Sequence, residues 1–346
     1  MGNFLQGIGD THLGRVFKND VSLDRRGEYE KVQFEELEKL LGFEQSNLTA
    51  DNFIKCQVGD WFDKPSVNLK AVFDSIALLE QYSKTTPDID LVVISGNHDD
   101  AKNTSDVTAW DLLACNIRNN KNNVQNNIKF VKDSYVKTFA NGEEILFIGW
   151  NITNSACEAL LAALGAGYKN ISTVVCHLDK ISYGNEDNVI PYEFFAQHGI
   201  KMVISGHEHK PYHFYDQGME IIGTGSLLPY SHAEDDGEEI YVTFKSIDEF
   251  ENYRQAVDVT NKHIRLILDV ADQERVLELA NVNCYSLKIV KSDVAIELLD
   301  GETINEVVIE AYNAKAVWTS SVAETELDPE IGNRVWAEIE LKGADE

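Results

Sequence analysis

FLQGIGDTH, residues 4–12, joins a short apolar run to a polar turn that carries a carboxylate and an imidazole. An apolar run of this length, bounded by glycine, is typical of a buried β-strand. Alternate residues of an extended chain point to the same side, so Asp10 and His12 are expected to face one way. The stretch therefore predicts a strand whose end presents two groups that can bind a metal ion.

Four more polar clusters follow short apolar runs further along the chain. FIKCQV (53–58) precedes GDWFD (59–63), LVVIS (91–95) precedes GNHD (96–99), TVVC (173–176) precedes His177, and MVIS (202–205) precedes GHEH (206–209). In open α/β sheets, functional groups gather beyond the carboxyl ends of the strands. If the five strands share one sheet, the five clusters are expected to meet at one edge of it.

Helix-like segments separate these runs. Apolar residues recur at helical spacing over 27–41, 67–82, 158–164 and 191–197, and further strands are predicted at 128–131 and 145–150. The segment Asn116–Asn127 is rich in asparagine, which favours a surface loop. The alternation of strands and helices predicts an α/β domain over residues 1–238.

The pattern changes after the acidic turn Glu234–Glu239. Strand-like runs stand at 241–247, 263–270, 285–290 and 335–341, with helical patches at 272–280 and 303–312. This order predicts a second, smaller and acidic α+β domain over residues 239–346.

Seven side chains in the five clusters are candidate metal ligands: Asp10, His12, Asp60, Asn97, His177, His207 and His209. Their oxygen and nitrogen atoms suit Mn, Fe, Zn or Co better than Ca. Seven ligands are too many for one tetrahedral site but fit two ions that share a bridging carboxylate, for which Asp60 is suitable. A single Asp or His after a strand is more often a turn residue. The series as a whole argues against that simpler explanation, because five of the nine histidines fall in these clusters.

The motifs DTH, GDWFD, GNHD, a lone His after an apolar strand, and GHEH resemble the signature of the calcineurin-like metallophosphoesterases. Within that family the chain looks like a phage-like version of the SbcD-type nucleases, which process DNA double-strand ends. HLG (12–14), Phe62-Asp63, GHEHKP (206–211) and GTGSLLPYS (223–231) favour that branch. The resemblance is strong over residues 1–245 and concerns only the layout after that. It implies a layered β-sandwich flanked by helices, followed by a smaller capping domain.

The resemblance also implies a role for each motif residue. One ion would be held by Asp10, His12, Asp60 and His209, and the other by Asp60, Asn97, His177 and His207. His98 would be a catalytic residue that faces the scissile phosphate, and Asp99 would orient His98. The family points to two Mn²⁺ ions, although the residue chemistry alone also admits Fe or Zn.

These roles predict a two-metal-dependent phosphodiesterase, foremost a DNA exonuclease or endonuclease that processes DNA ends in repair or recombination. A hydroxide that bridges the two ions would attack phosphorus, and His98 would assist the leaving group. One alternative is another metallophosphoesterase, such as a nucleotide phosphatase or a cyclic-nucleotide phosphodiesterase. A second alternative is a non-catalytic binding scaffold with this fold, which would not need all seven ligands.

A basic group near the first motif is a candidate contact for DNA phosphates: Arg15, Lys18, Arg25, Arg26 and Lys31. Interleaved acids make an ordinary solvated surface an equal alternative. The resemblance further implies a homodimer, with contacts from 67–82 and 110–113, and an SbcC-type SMC-like ATPase as a partner. In that family the ATPase-docking helices follow the capping domain, and little room for them is expected after 335–341.

Charge and targeting limit the kind of partner. The chain has 58 acids and 30 bases, and its formal charge is -28; residues 231–346 alone hold 27 acids and 10 bases. This balance disfavours long-range attraction to DNA or to anionic membranes, so weak DNA affinity is expected away from the metal centre. No apolar run approaches the roughly 20 residues that span a bilayer, and the N-terminus does not match a secretory signal. With five scattered cysteines, these features predict a cytoplasmic protein, in the host cytoplasm if it is phage-encoded.

Overall fold

The computed structural model describes residues 3–291, with gaps at 18–20, 43–48, 50, 102–105, 121–123, 125, 151–154, 182–187, 236, 238, 270–271, 273–274 and 280–281. The strand predicted at 335–341, the helical patch at 303–312 and the candidate DNA contact Lys18 lie outside the described residues. Within these ranges, no helix is long and apolar enough to cross a membrane.

A four-stranded parallel sheet carries the first three motifs. Its strands, in spatial order, are β1 (Phe4–Ile8), β2 (Phe53–Gln57), β3 (Asp90–Ile94) and β4 (Ile128–Val131). Four of the five residues of β3 are buried, which explains why its sequence, DLVVI, is an almost continuous apolar run. Because the strands are parallel, the carboxyl ends of β1, β2 and β3 lie at the same edge.

A six-stranded mixed sheet carries the other two motifs. Its spatial order is β5 (Ser134–Thr138), β6 (Glu144–Ile148), β7 (Ile171–Cys176), β8 (Met202–Ser205), β10 (Met219–Gly223) and β9 (Tyr212–Asp216). The four inner strands are parallel, and the two edge strands pair antiparallel to them. The motif-bearing strands therefore divide between two sheets, so the condition that all five share one sheet is not met.

The two sheets stack face to face between two layers of helices. Apolar residues from β2 and β3 pack against residues from β6, β7 and β8 to form the inner core. The helices are α1 (Glu28–Leu41), α2 (Leu69–Thr85) and α3 (Ala109–Asn119) on the first sheet, and α4 (Ala156–Gly165) and α5 (Tyr192–Gln197) on the second. The predicted layered β-sandwich flanked by helices is thus confirmed, and it leaves the ends of both sheets free to carry a site.

Helix α3 corrects the prediction for the asparagine-rich segment. Asn116–Asn119 forms its last turn, where a surface loop was expected. A capping box between Thr108 and Asp111 starts the helix. Trp110 and Leu113, one turn apart, are buried in the core, so packing overrides the weak helix propensity of asparagine.

The described residues after Glu239 form a third sheet with its own core. Its parallel strands are β11 (Tyr241–Phe244), β12 (His263–Leu268) and β13 (Ser286–Lys291), and helix α6 (Ile247–Ala256) packs on it. The described part of the predicted 272–280 helix contains a 3-10 turn at Val276–Leu279. All described residues belong to one compact unit, Met1–Asp293, and the domain boundary at 238/239 stays a prediction.

Candidate metal centre

Five loops meet at the carboxyl ends of β1, β2, β3, β7 and β8. They bring the seven predicted ligands together, although nearly 200 positions separate His12 from His209 in sequence. Four of the seven are almost fully buried: Asp10, His12, Asp60 and His177. Buried charged and polar groups of this kind require partners, so the residues around each ligand determine what the cluster can bind.

The backbone is strained at three of these ligands. Among the described residues, four that are not glycine have a positive φ, and three of them are His12 (44°), Asp60 (51°) and His207 (77°). The left-handed region is unfavourable for residues with a Cβ, and such strain concentrates at functional sites. The fold therefore stabilises an unfavourable conformation in order to aim these side chains inward.

Two motif glycines make room for the carboxylates. A Cβ on Gly96 would overlap the carboxylate and the backbone nitrogen of Asp60, and one on Gly206 would overlap Asp10 and the Val58 carbonyl oxygen. The loops can approach this closely only because both positions lack a side chain. The glycines directly before Asn97 and His207 are thus required by packing.

One half of the centre is formed by four predicted ligands: Asp60, Asn97, His177 and His207. The Nδ1 of His177 lies 2.8 Å from the Val58 carbonyl oxygen, which only accepts, so this nitrogen donates its hydrogen. The Nε2 of His207 donates to Asp179 Oδ1 at 2.8 Å. On neutral rings, the other nitrogens then face Asn97 Oδ1 with their lone pairs, at 3.0 and 2.9 Å. Converging acceptors of this kind fit a bound cation.

The other half is formed by Asp10, His12 and His209. One donor atom from each lies within 4.8 Å of the other two, and the Nε2 atoms of His12 and His209 are 2.9 Å apart. Two nitrogens about 2.1 Å from one ion, at right angles, are about 3 Å apart. This spacing therefore fits two ligands of a shared ion.

Asp60 stands between the two halves. Its Oδ2 lies 3.3 Å from His177 Nε2 and 3.8 Å from His12 Nε2, while its Oδ1 accepts a hydrogen bond from the His98 backbone at 2.9 Å. One carboxylate oxygen thus faces ligands of both halves. This is the placement required of a bridging ligand.

Burial and the neighbouring charges shift the pKa values of the Asp and His side chains in the candidate metal centre. Burial raises the pKa of Asp10 to about 7, and the neighbouring Asp60 carboxylate adds to the rise. Although burial favours its neutral ring, the carboxylates of Asp60 and Asp10 raise the pKa of His177 to about 10. Burial lowers the pKa of His12 to about 3 and that of His207 to about 4. The buried carboxylates therefore attract positive charge, which divalent ions supply more fully than one imidazolium.

His98 lies beside the cluster, at the wall of a cavity of about 810 Å³. Its Nδ1 is 2.6 Å from the Asp63 carbonyl oxygen and donates to it. The cavity wall also includes Arg15, Lys64 and Asn97. A histidine, two cations, two acids (Asp63 and Asp100) and a candidate ligand thus border one cavity.

Asp99 does not orient His98 as expected. Its carboxylate instead accepts hydrogen bonds from three backbone amides, those of Trp61 (3.0 Å), Phe62 (2.9 Å) and Gly96 (2.9 Å). Burial, together with the charge of Asp60, raises the pKa of Asp99 to about 8 against the effect of these donors. Asp99 therefore ties the loop after β2 to the loop after β3 and acts on the geometry of the ligands they carry.

Three residues near the ligands were not predicted from the sequence. Asp179 contacts His207, Glu234 contacts His209 (Oε1 to Nδ1, 3.2 Å), and the ring of Trp150 stacks on His207 at 5.7 Å. Asp179 follows His177 by two positions, which is also the spacing of Asp10 and His12, so the sequence could have indicated that Asp179 faces the cluster. Glu234 lies 25 positions after its partner, and no local pattern marks it.

The basic residues predicted to contact DNA differ in their exposure and in their partners within the protein. Arg15 is 33 % exposed, lies 3.7 Å from Asp63 and stands over the Tyr230 ring at the wall of the cavity. Arg26 and Lys31 are exposed. Arg25 does not fit the role, because its guanidinium binds Glu28, the Thr260 carbonyl oxygen and Asn261. It joins the start of α1 to the third sheet instead.

Comparison with known families gives one match. A family model described as calcineurin-like phosphoesterase matches residues 7–211, a range that includes all seven candidate ligands and His98. No curated protein sequence matches the chain.

Several solved structures are similar to it. TT1561 of Thermus thermophilus is 13% identical, with a TM-score of 0.42 over 66% of this chain and 91% of its own. A putative 5'-nucleotidase from Staphylococcus aureus is 15% identical, with a TM-score of 0.40 over 64% of this chain and 48% of its own. Phosphopantetheinyl hydrolase of Mycobacterium tuberculosis is 12% identical, with a TM-score of 0.35 over 66% of this chain and 94% of its own.

Proposed function

The chain belongs to the calcineurin-like phosphoesterase family, and on that premise we propose that it is a two-metal phosphodiesterase that cleaves DNA at or near its ends. Membership of the family supports metal-dependent phosphoester hydrolysis. The observation that carries the two-ion part of the proposal is the placement of Asp60 Oδ2 between the ligands of both halves. We propose Mn²⁺ as the ion, and the oxygen and nitrogen donors of the centre are compatible with it.

The residues present fit two ions. Asp10, His12 and His209 would hold one ion, Asn97, His177 and His207 the other, and Asp60 both. When bound, divalent ions lower the pKa of water and neutralise the charge of a phosphate.

His98 is proposed as the proton donor to the leaving oxygen. Its Nδ1 is committed to the Asp63 carbonyl oxygen, so Nε2 is the nitrogen that can pass a proton to substrate. An imidazole can donate a proton to a leaving oxygen and recover it within one turnover. The Asp63 contact fixes the ring, which reduces the reorganisation needed for transfer.

DNA is proposed as substrate because the cavity beside His98 is lined mainly by residues other than the candidate metal ligands, of which only Asn97 is on its wall. Its wall carries two cations, Arg15 and Lys64, beside two acids, Asp63 and Asp100, and phosphates flanking the scissile bond are suitable partners for the two cations. The guanidinium of Arg15 is placed by Asp63 and by the Tyr230 ring, 4.6 Å away. A polymer with several phosphates would use these contacts, whereas a cyclic nucleotide has one phosphate.

A small phosphodiester or nucleotide is the second candidate. Arg25 is engaged within the protein, and the chain carries a formal charge of -28. Both facts favour a substrate that needs few phosphate contacts.

A substrate panel separates the candidates. The Mn²⁺-loaded protein would be assayed on linear duplex DNA, single-stranded DNA, cyclic nucleotides, nucleotides and a chromogenic phosphodiester. The proposal predicts that one of the two DNA substrates gives the highest kcat/KM, and that Arg15→Ala together with Lys64→Ala lowers only the DNA values. Preference for a nucleotide would assign the protein to the second candidate, and inactivity on every substrate would favour a binding scaffold.

We also propose that the protein forms a homodimer in the cytoplasm and works with an SbcC-type SMC-like ATPase. Leu69 and Phe73 on α2 and Leu112 on α3 are exposed by 69%, 65% and 50%, so these helices offer apolar contact area. Trp110 and Leu113 are core residues and do not belong to that surface. Light scattering should give twice the chain mass, and a monomer at micromolar concentration would exclude the dimer.

A further inference from the structure

We propose that Glu234 is a positioning residue that fixes the His209 ring and thereby sets the affinity of one of the two ion positions. The proposal rests on the proposed metal centre, but its central test measures binding and needs no substrate. Glu234 lies outside the residues matched by the family model, on the segment that leads into β11.

Both oxygens of the Glu234 carboxylate have partners. Oε2 accepts a hydrogen bond from the Tyr230 backbone at 2.7 Å, and Oε1 accepts one from the Ser231 hydroxyl at 3.1 Å. Oε1 also lies 3.2 Å from His209 Nδ1. The side chain of Glu234 is only 19% exposed. Tyr230 and Ser231 therefore fix the carboxylate independently of its contact with the His209 ring.

This contact decides which nitrogen of His209 is free. A carboxylate accepts, so Nδ1 carries the hydrogen and Nε2 keeps its lone pair. Nε2 is the atom that lies 2.9 Å from His12 Nε2, on the side of Asp10. A carboxylate behind a metal-binding histidine fixes its tautomer and orientation and strengthens it as a ligand.

The same segment supports His12. The hydroxyl of Tyr230 donates to the Thr11 carbonyl oxygen at 2.7 Å, and its ring meets the His12 and His209 rings edge-on, at centroid distances of 5.2 and 5.6 Å. Tyr230 is 5% exposed. Residues 230–234 therefore hold both histidines of the first half of the centre.

The second half has separate supports. Asp179 accepts from His207, the Val58 carbonyl oxygen accepts from His177, and Trp150 stacks on His207. None of these residues belongs to the 230–234 segment. Loss of the Glu234 carboxylate should therefore weaken one ion position and leave the other unchanged.

The 230–234 segment is also continuous with the third sheet. The next residue, Asp235, accepts hydrogen bonds from the backbone of Ile240 (2.7 Å) and Tyr241 (2.9 Å), where β11 begins. Phe17 and Tyr29 pack against Tyr230 and Tyr285 in one aromatic cluster. The position of Glu234, and with it the half of the centre formed by Asp10, His12 and His209, therefore depends on the third sheet.

Calorimetric titration of the metal-stripped full chain with Mn²⁺ tests the proposal. In Glu234→Ala, one of the two dissociation constants should rise by roughly 10- to 100-fold while the other stays within about twofold of wild type. Asp179→Ala should weaken the opposite position. Double variants then distinguish the halves. In a His209→Ala background, Glu234→Ala should change neither dissociation constant further. In a His207→Ala background, Glu234→Ala should still raise the dissociation constant of its own ion position. Glu239→Ala is the control, because Glu239 is an exposed acid between the 230–234 segment and β11.

A purely structural role would give a different pattern. It would lower the melting temperature of the metal-free protein and weaken both ions together, and that result would overturn the proposal, as would unchanged Mn²⁺ binding. If Glu234→Ala does not fold, Glu234→Gln keeps one acceptor oxygen and should give a smaller loss, confined to the same position. Failure of the proposed function would appear separately, as a wild-type protein that binds two ions and hydrolyses nothing.

Discussion

Replacing Asp60 by alanine is expected to remove both divalent ions and to abolish hydrolysis. Its Oδ2 faces His177 at 3.3 Å and His12 at 3.8 Å, so each half of the centre loses a ligand in the same variant. Without a carboxylate between them, the two cations would also repel each other more strongly. Elemental analysis of the purified variant should find less than one ion per chain.

Asp74→Ala is the control for Asp60→Ala, since Asp74 lies on α2 and pairs with Lys70 at the surface. Two bound ions are expected in that protein. An Asp60→Ala protein that still binds two ions would contradict the bridging role. The loss of only one ion would show that Asp60 belongs to one half.

His98→Ala is expected to lower turnover by about 100-fold or more while both ions remain bound. The ring lies beside the metal ligands, but its Nδ1 is held by the Asp63 carbonyl oxygen and it is the proposed proton donor to substrate. A proton donor matters most when the leaving group is poor. The loss should therefore be large for DNA, whose leaving group is an alkoxide, and small for a nitrophenyl phosphodiester, whose leaving group needs no proton.

Measurements of kcat on both substrates, with metal content determined in parallel, test this role. His213→Ala is the matched control, because His213 is an exposed residue on β9. Equal losses on both substrates would argue that His98 binds the phosphate instead of donating a proton. Wild-type activity on DNA would exclude it from the mechanism.

The meeting of the seven candidate ligands at one place could be predicted because each of their motifs follows an apolar strand. A short run such as MVIS is buried, and the polar residues after it are placed at the sheet edge by the strand itself. Local sequence carries this information. It does not say which strands are neighbours, and the division of the motifs between two sheets depends on pairings such as β3 with β4.

The supports of the ligands could not be predicted in the same way. Asp99 was expected to act on its neighbour His98, but its partners are amides up to 38 positions away. Tyr230 contacts Thr11 across 219 positions. Such contacts arise only after the chain folds, because they depend on the distance between loops and on the positive φ of residues such as His12 and His207.

The charge of -28 has a partial explanation in the centre. Asp10, Asp60 and Asp99 are at most 2% exposed and lie close together. Bound cations would offset the negative charges of Asp10 and Asp60. The acids of residues 292–346 lie outside the described residues. Bulk charge therefore limits long-range attraction to DNA but does not oppose contact at a cation-loaded site.

The most direct test is hydrolysis by metal-stripped protein as Mn²⁺ is restored. Linear duplex DNA and a chromogenic phosphodiester would be followed against the number of ions bound per chain. We predict no turnover without metal, a rise that saturates at two ions per chain, and no rise in Asp60→Ala. Full activity in the presence of chelator, saturation at one ion, or no hydrolysis of either substrate at two ions would contradict a two-metal phosphodiesterase.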